Sequence, residues 1–516
     1  MEREQAMTGP TDGAATIRDI VIVGGGTAGW MAAASLAHFL KAAGVRITVV
    51  ESSAIGTVGV GEATIPPIMD FIRVLGLDED ELIRRCNGTF KLGIKFKDWR
   101  DIGSTFFHPF GQTGFPIEGV DFSACWLSRR LAGRAEPLDA YSLMAMATQA
   151  DRFERPAAGR GAPFPQVTYA LHFDATLFGE FLRDYALERG VRRIDAKIDG
   201  ADVNGETGCI DALRLEDGRT VPGDLFIDCS GFRGLLIEET LHTGYEDWRP
   251  WLPCDRAVAV QSARGGPLSV HTLATAREAG WQWRIPLQNR VGNGYVYCSD
   301  HIDDEAASQR LMGSLEGEAL TTPRVLRFVT GRRKKFWNKN CVALGLAGGF
   351  LEPLESTSIH LVQRGLALLL RFFPDRHFAE AEQDQYNAML TYEYERIRDF
   401  ILLHYLPTRR EDSSFWRYVR SIAAPDSLAQ RMALFESHGR IVREETELFP
   451  AQSWLYIFTG QGIMPRDADP LAGVLGPAKV DGALGQLRSL IAQRVSAMPT
   501  HADFISGHCA AESLST

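Results

Sequence analysis

Val23-Gly24-Gly25-Gly26-Thr27-Ala28-Gly29-Trp30 decides the fold of this chain. It follows an apolar run, Ile20 to Val23, and opens a helical one, Trp30 to Ala42. A second apolar run, Val45 to Val50, ends at Glu51. Strand, glycine turn, helix, strand and acid, in that order, make a GxGxxG spacing a dinucleotide fingerprint. Gly24 permits the tight turn, and Gly26 lets the backbone approach a pyrophosphate. Gly29 allows helix and strand to close on each other, and the helix N-terminus offers N–H groups to the phosphates. Glu51 is placed to accept hydrogen bonds from a ribose.

Outside the fingerprint, the 516 residues suffice for one large unit or two domains. A net charge of −10 argues against non-specific nucleic-acid binding, which needs clustered cations. The one basic cluster, Arg332-Arg333-Lys334-Lys335, reads as a solvated face. Residues 1–17 are small and polar and read as a disordered tail rather than a secretory signal. Nothing approaches the apolar length of a membrane span. The cysteines are scattered without CxxC spacing, which suits reduced thiols in a cytoplasm and neither a disulfide framework nor a metal site.

A helical pattern over Leu171–Leu187 begins at His172-Phe173-Asp174, and a strand-and-turn region runs from Arg192 to Asp228. It ends in an apolar strand entering Asp228-Cys229-Ser230-Gly231. Residues 359–373 read as a buried helix stopped before Pro374. Tyr386–Leu406 carries Leu390, Tyr394, Ile397, Ile401 and His404 at helical spacing, an amphipathic helix ended by Pro407. The pattern is α/β with a mainly helical C-terminal part.

Three further stretches stand out. Phe90-Lys91-Leu92-Gly93-Ile94-Lys95-Phe96-Lys97 alternates, which by pattern alone means a half-buried strand with three solvated lysines. Trp281-Gln282-Trp283-Arg284-Ile285-Pro286 alternates as well, a strand with two core tryptophans. Glu352-Pro353-Leu354-Glu355-Ser356-Thr357-Ser358 precedes a helix, so Ser356, Thr357 and Ser358 are N-cap candidates whose N–H groups can face an anion.

Together these motifs resemble the flavin-dependent tryptophan-halogenase family, from about Arg18 to about residue 465. The resemblance rests on GGGTAGW, GVGEATIP (Gly59–Pro66), Phe90-Lys91, WxWxIP and EPLEST. It implies an FAD-binding Rossmann-like, two-part flavin monooxygenase/halogenase fold. Residues 18–375 would form the FAD-binding domain with inserted substrate-site segments, and 376–516 a helical substrate-side region. It implies that a separate NAD(P)H-flavin reductase supplies FADH2, which with O2 and chloride or bromide yields hypohalous acid. Lys91 matches the lysine that carries the electrophilic halogen, by hydrogen bond or as a haloamine. Glu355 matches the glutamate that stabilises charge on the ring and helps remove its proton. Thr357 and Ser358 match the halide-holding positions. Thr27, Ala28, Ser52, Ala63, Leu346 and Ile359 join Gly24, Gly26, Gly29 and Glu51 as flavin contacts. His108 and Phe110 match residues that pack on an indole, and Trp281 and Trp283 would wall the flavin off from it. A homodimer is also implied by the resemblance.

Two departures qualify the match. Ser358 stands where tryptophan-specific members carry glycine, which leaves the halide preference open. The segment Glu436 to Ala451 is charged and lacks the aromatics that clamp free tryptophan, with Pro450 at the place of a clamping tryptophan. An aromatic substrate that is indole-like rather than free tryptophan is therefore expected. The competing readings are a single-component flavin monooxygenase or oxidoreductase of related fold, and a flavin-binding protein without catalysis.

Overall fold

The computed structural model describes residues 16–54, 61–156 and 166–511. At its centre is a six-stranded sheet ordered 337–338, 341–343, 225–228, 19–23, 46–51, 192–195. Asp19–Val23 pairs in parallel with Arg46–Glu51 on one side and with Leu225–Asp228 on the other. Alternation along the first strand feeds two cores. Ile20 and Ile22 join the large apolar cluster, and Val21 and Val23 join a second one with Val50, Phe226 and Ala343. Burial on both faces is what a parallel sheet with continuous apolar strands requires. The helix Thr27–Leu40 crosses between the first two strands, as the fingerprint predicts.

A seven-stranded sheet lies beside it, ordered 324–327, 256–262, 291–297, 280–286, 271–277, 93–97, 105–109. A small sheet joins Gly61–Ala63, Ala170–Asp174 and Thr89–Lys91. The C-terminal part is helical, from Ser358–Arg371 and Glu380–Tyr405 to His501–His508.

Several expectations are corrected. The alternating stretch 90–97 is not one strand: Thr89–Lys91 and Gly93–Lys97 belong to different sheets, broken at Leu92. Lys95 and Lys97 are exposed, but Lys91 is fully buried. The helical pattern assigned to 171–187 starts as a strand, Ala170–Asp174. Asp174 then caps the helix Ala175–Leu187 by accepting from the Thr176 and Leu177 N–H groups. Arg332 and Arg333 are buried, paired with Glu246 and Glu238, and only the two lysines of that cluster are exposed. Ile17 is 1% exposed, so the chain is anchored before the first strand; the rest of the expected tail, up to residue 15, lies outside the described residues. So do Gly59 and Val60 of GVGEATIP. No helix among the described residues is long and apolar enough to cross a membrane.

Candidate functional site

The nucleotide turn is built on three close approaches. Gly24 has φ +102°, and a Cβ there would lie 2.4 Å from the Cys229 carbonyl oxygen. A Cβ on Gly29 would come within 1.9 Å of the Gly24 oxygen, and one on Gly25 would overlap the Glu51 carboxylate. Gly25 is therefore required too, a role the GxGxxG spacing does not announce. Above Gly26, by contrast, a Cβ would meet nothing within 4 Å. The helix beginning at Thr27 has no side-chain cap, so its first N–H groups face that space. These features fit a bound dinucleotide phosphate.

The other flavin candidates gather around this turn unevenly. The Thr27 hydroxyl bonds the Ala175 carbonyl, which ties the helix start to the next βα unit. A Cβ on Gly345, in the turn Gly345–Ala347 that carries Leu346, would come within 2.8 Å of the Ala28 Cβ. Glu51 is engaged by Arg193 at 2.5 Å, and Ser52 follows it partly buried. Ala63 lies in the small sheet opposite His172, and Ile359 is in the first turn of the helix Ser358–Arg371.

The second half of the site is a buried polar cluster. Lys91 Nζ donates to the Thr64 carbonyl at 2.9 Å and to the Ser356 hydroxyl at 2.8 Å, joining segments 265 residues apart. Ser356 holds φ +58°, a left-handed conformation that is uncommon for a residue with a Cβ. Lys91 Nζ sits 5.2 Å from the centre of the Phe110 ring. Burial favours the neutral amine and pushes Lys91 down to about 7, against the opposing pull of Glu355. His172, opposite Thr89 on the same sheet, is held neutral by burial and by Lys91.

Glu355 is fully buried and receives two imidazoles. His108 Nδ1 lies 2.9 Å from Oε2 and 3.1 Å from Oε1, and His404 Nε2 lies 2.9 Å from Oε1. Burial alone would raise this carboxyl, but the two histidines outweigh it and hold it at about 2. The first glutamate of the same motif is treated in the opposite way. Glu352 Oε2 accepts from Trp281 Nε1 at 2.8 Å and from the Tyr405 hydroxyl at 2.5 Å, both neutral donors, and burial lifts it to about 7. Trp281 is thereby fixed to the EPLEST turn, with Trp283 6.1 Å away by ring centres. Thr357 is the N-cap residue by position, but its side chain caps nothing and its buried Oγ1 has no partner among the described residues. Ser358 is the first residue of that helix, beside Thr357 in sequence.

His404 and Phe449 were missed as site residues. His404 reads in sequence as one more apolar-face position of a helix, and a buried histidine there carries no distinguishing spacing. Phe449 lies in the segment expected to lack the clamping tyrosine and tryptophan, and it stacks on Phe400 at 3.8 Å and stands 6.4 Å from His108. The segment's buried carboxylate, Glu447, takes two bonds from Arg431 at 2.8 Å and one from the Tyr392 hydroxyl.

The tryptophan halogenase family model matches residues 19–477. This chain belongs to the tryptophan halogenase family. The fold agrees over almost all of the chain. A flavin-dependent halogenase from Xanthomonas campestris superposes with a TM-score of 0.93 at 45% identity, covering 96% of this chain and 99% of that one. One from Brevundimonas sp. BAL3 gives 0.91 at 48%, covering 95% and 99%. The tryptophan 6-halogenase of Streptomyces toxytricini is 34% identical over 94% of this chain and 98% of its own length. The halogenase is thus a flavin-dependent enzyme, and its Lys91, Glu355 and WxWxIP strand occupy one continuous buried region.

Proposed function

We propose that the halogenase is a two-component enzyme. It accepts FADH2 by diffusion from a separate NAD(P)H-flavin reductase and installs chlorine or bromine on an electron-rich, indole-like aromatic. When bound, the reduced flavin supplies, with O2 and halide, the hypohalous acid. The residues of the chain do the rest. Gly26 and the helix start at Thr27 hold the pyrophosphate, and the N-terminus of the helix from Ser358, beside Thr357, holds the halide. Lys91 receives the oxidised halogen. As an ammonium it donates to hypohalous acid and makes the halogen more electrophilic; as an amine it can form a haloamine. A lysine brought to about 7 has both forms available near neutrality. Glu355 stabilises the positive charge that develops on the ring, and Trp281 and Trp283 keep the ring from the flavin.

The observation that carries this reading is Lys91: buried, held by Thr64 and Ser356, and facing Glu355. A solvated strand lysine would have none of these features. The indole-like substrate is supported by Phe110, beside Lys91, and by Phe449, beside His108, which offer flat apolar faces to a ring. The test is turnover of indole with purified protein, a flavin reductase, FAD, NADH, O2 and bromide, with Lys91→Ala alongside. Brominated indole that disappears in the variant supports the proposal. Equal product from both proteins, or none, rejects it, and tight saturable binding of free L-tryptophan rejects the substrate reading.

A further inference from the structure

The strand that carries Lys91 is held by the last helix of the chain, His501–His508, which lies past residue 477 and beyond the family motifs. Thr89–Lys91 is the edge strand of its small sheet, and the Phe90 N–H donates to His501 Nε2 at 3.2 Å. His501 Nδ1 lies 2.9 Å from the carbonyl oxygen of Leu268, shortly before the strand His271–Arg277. A backbone N–H only donates and a carbonyl only accepts, so Nδ1 carries the hydrogen and Nε2 is bare. Burial keeps this ring neutral, pushing it down to about 4 against the opposing effect of the Leu268 bond. The Phe90 ring is gripped as well: it stacks on Phe153 at 4.0 Å and meets Phe504 edge-on at 5.4 Å by ring centres. The helix is itself tied down at both ends. The His501 N–H donates to the Asp151 carbonyl at 2.9 Å, and the Pro499 carbonyl accepts from the Phe153 N–H at 3.2 Å. At the far end stands Gln288, two residues past the WxWxIP strand Gly280–Pro286. Its side chain donates to the Cys509 carbonyl at 3.0 Å and the Gly88 carbonyl at 2.8 Å, and accepts from the Ala511 N–H at 2.7 Å.

We infer that His501 is a positioning residue for Lys91, and that the helix His501–His508 straps the lysine's strand to the end of the WxWxIP strand. This rests on the halogenase reading for what Lys91 does and adds what keeps it in place. The strand has only three residues, paired on one side with Ala170–Asp174 and open on the other. A buried backbone N–H on an open edge requires an acceptor, and His501 supplies it to Phe90, the residue before Lys91. The demand on the lysine is exacting, because Nζ must meet the Thr64 carbonyl and the Ser356 hydroxyl at once. A shift of its backbone parts it from one of them and lets water reach the amine, and a misplacement of about 1 Å costs about a hundredfold in rate. The imidazole suits the task because Leu268 fixes its tautomer, so a bare nitrogen always faces the Phe90 N–H.

Two measurements on the full chain test the inference, with His501→Leu removing the acceptor and His501→Gln keeping one near the place of Nε2. The first is carbon-13 NMR of lysine-labelled protein, with Lys91 assigned through Lys91→Met, alongside amide hydrogen exchange. In His501→Leu the Phe90 amide should exchange about tenfold faster or more while the strand Asp19–Val23 stays protected. Lys91, near 7 in the wild type, should then titrate well above that value, and His501→Gln should restore both. A Lys91 that titrates in His501→Leu as it does in the wild type overturns the inference whatever the enzyme turns over. Should His501→Leu fail to fold, Gln288→Ala frees the other end of the helix, and an unmoved Lys91 there overturns it equally. The second is bromination of indole with excess methionine present to scavenge free hypobromous acid. His501→Leu should lose about tenfold or more in kcat, with its FAD affinity within about twofold of the wild type, and His501→Gln should recover most of the rate. Rate and FAD affinity falling together make His501 a residue of the fold alone and overturn the positioning role. A wild type that leaves indole untouched rejects the substrate reading alone, and the titration of Lys91 still decides what His501 does.

Discussion

Replacing Lys91 by methionine separates what this lysine does for the reaction from what it costs the fold. The ammonium is held at about 7 instead of its ordinary 10.5 because burial penalises its charge. In the unfolded chain the lysine binds its proton more tightly, so stability rises with pH between those two values. The penalty is about 4 kcal/mol at pH 7, about 2 kcal/mol at pH 9 and close to nothing at pH 11. Methionine removes it, and also leaves the Thr64 carbonyl and the Ser356 hydroxyl without their donor, a loss that does not vary with pH. Glu355, at about 2, does not titrate in this range. The quantity to measure is therefore the difference in Tm between variant and wild type at two pH values, at one fixed scan rate. With an unfolding entropy of about 1 kcal/mol/K for a chain of this length, 1 kcal/mol moves Tm by about 1 °C. The Lys91→Met advantage should be about 2 °C larger at pH 7 than at pH 9, in a protein that no longer halogenates. A difference that is flat between the two pH values would show that Lys91 keeps an ordinary pKa in the folded state and would refute the argument.

Glu355→Gln should lower kcat at least a hundredfold. The wild type's stability advantage over this variant should be complete above pH 4.5 and disappear as the pH falls toward 2, because a depressed carboxyl stabilises only while ionised; acid-titrated Tm values check this. Glu352→Gln should behave in the opposite sense. The wild-type carboxyl, raised to about 7, forfeits stability as pH rises from 4.5 to 7, so the variant should gain about 3 °C on it between pH 4.5 and pH 8. Gly26→Ala should fold normally, since its Cβ meets no protein atom, and should weaken FAD binding at least tenfold by fluorescence titration; unchanged affinity would remove the pyrophosphate from this turn. Gly29→Ala should instead lose several degrees of Tm as well, because its Cβ would collide with the Gly24 carbonyl.

The nucleotide half of the fold was legible because its constraints are local. Strand, turn and helix follow one another within about thirty residues, and Gly25 and Gly29 answer to neighbours in that unit, while Gly24 answers to the distant Cys229 carbonyl. The catalytic half was less legible. Alternation over 90–97 assigns Lys91 to the same solvated face as Lys95 and Lys97, and only the break at Leu92, which sends the two halves into different sheets, buries it. Periodicity sees the strand and not the sheet it joins. Family motifs, in contrast, singled out Lys91 and Glu355 and left their surroundings unstated. His404 is one turn beyond Phe400 on a helix where a histidine looks like any other core residue, and its partner is 49 positions away. Phe449 was hidden by the charged residues around it. Arg332 and Arg333 were misread for a related reason: their acidic partners, Glu246 and Glu238, are far away in sequence and adjacent in space.

The two charged groups of the site are handled unequally, and the inequality suits the chemistry proposed for them. Glu355 is paired with two imidazoles that can supply positive charge, so burial does not neutralise it. Lys91 is given only a carbonyl and a hydroxyl, neutral acceptors that fix its position without offsetting the desolvation of its charge. The Coulombic pull of Glu355 on Lys91 is the smaller effect, so the lysine titrates near neutrality while the carboxylate stays ionised through the physiological range. Had Glu355 been in direct contact with Lys91, the pair would have locked as a salt bridge and the amine would have been unavailable. Placing Ser356 between the two motifs, in a conformation that is costly for a residue with a side chain, is what keeps the lysine off the carboxylate: its hydroxyl takes the Nζ hydrogen while the preceding residue turns its acid toward the histidines. On this argument Ser356→Gly should relieve the backbone strain yet raise the pKa of Lys91, because the freed ammonium can swing toward Glu355. A variant with higher Tm and a halogenation optimum moved to higher pH would bear this out, and an unshifted optimum would break the link between the turn and the lysine.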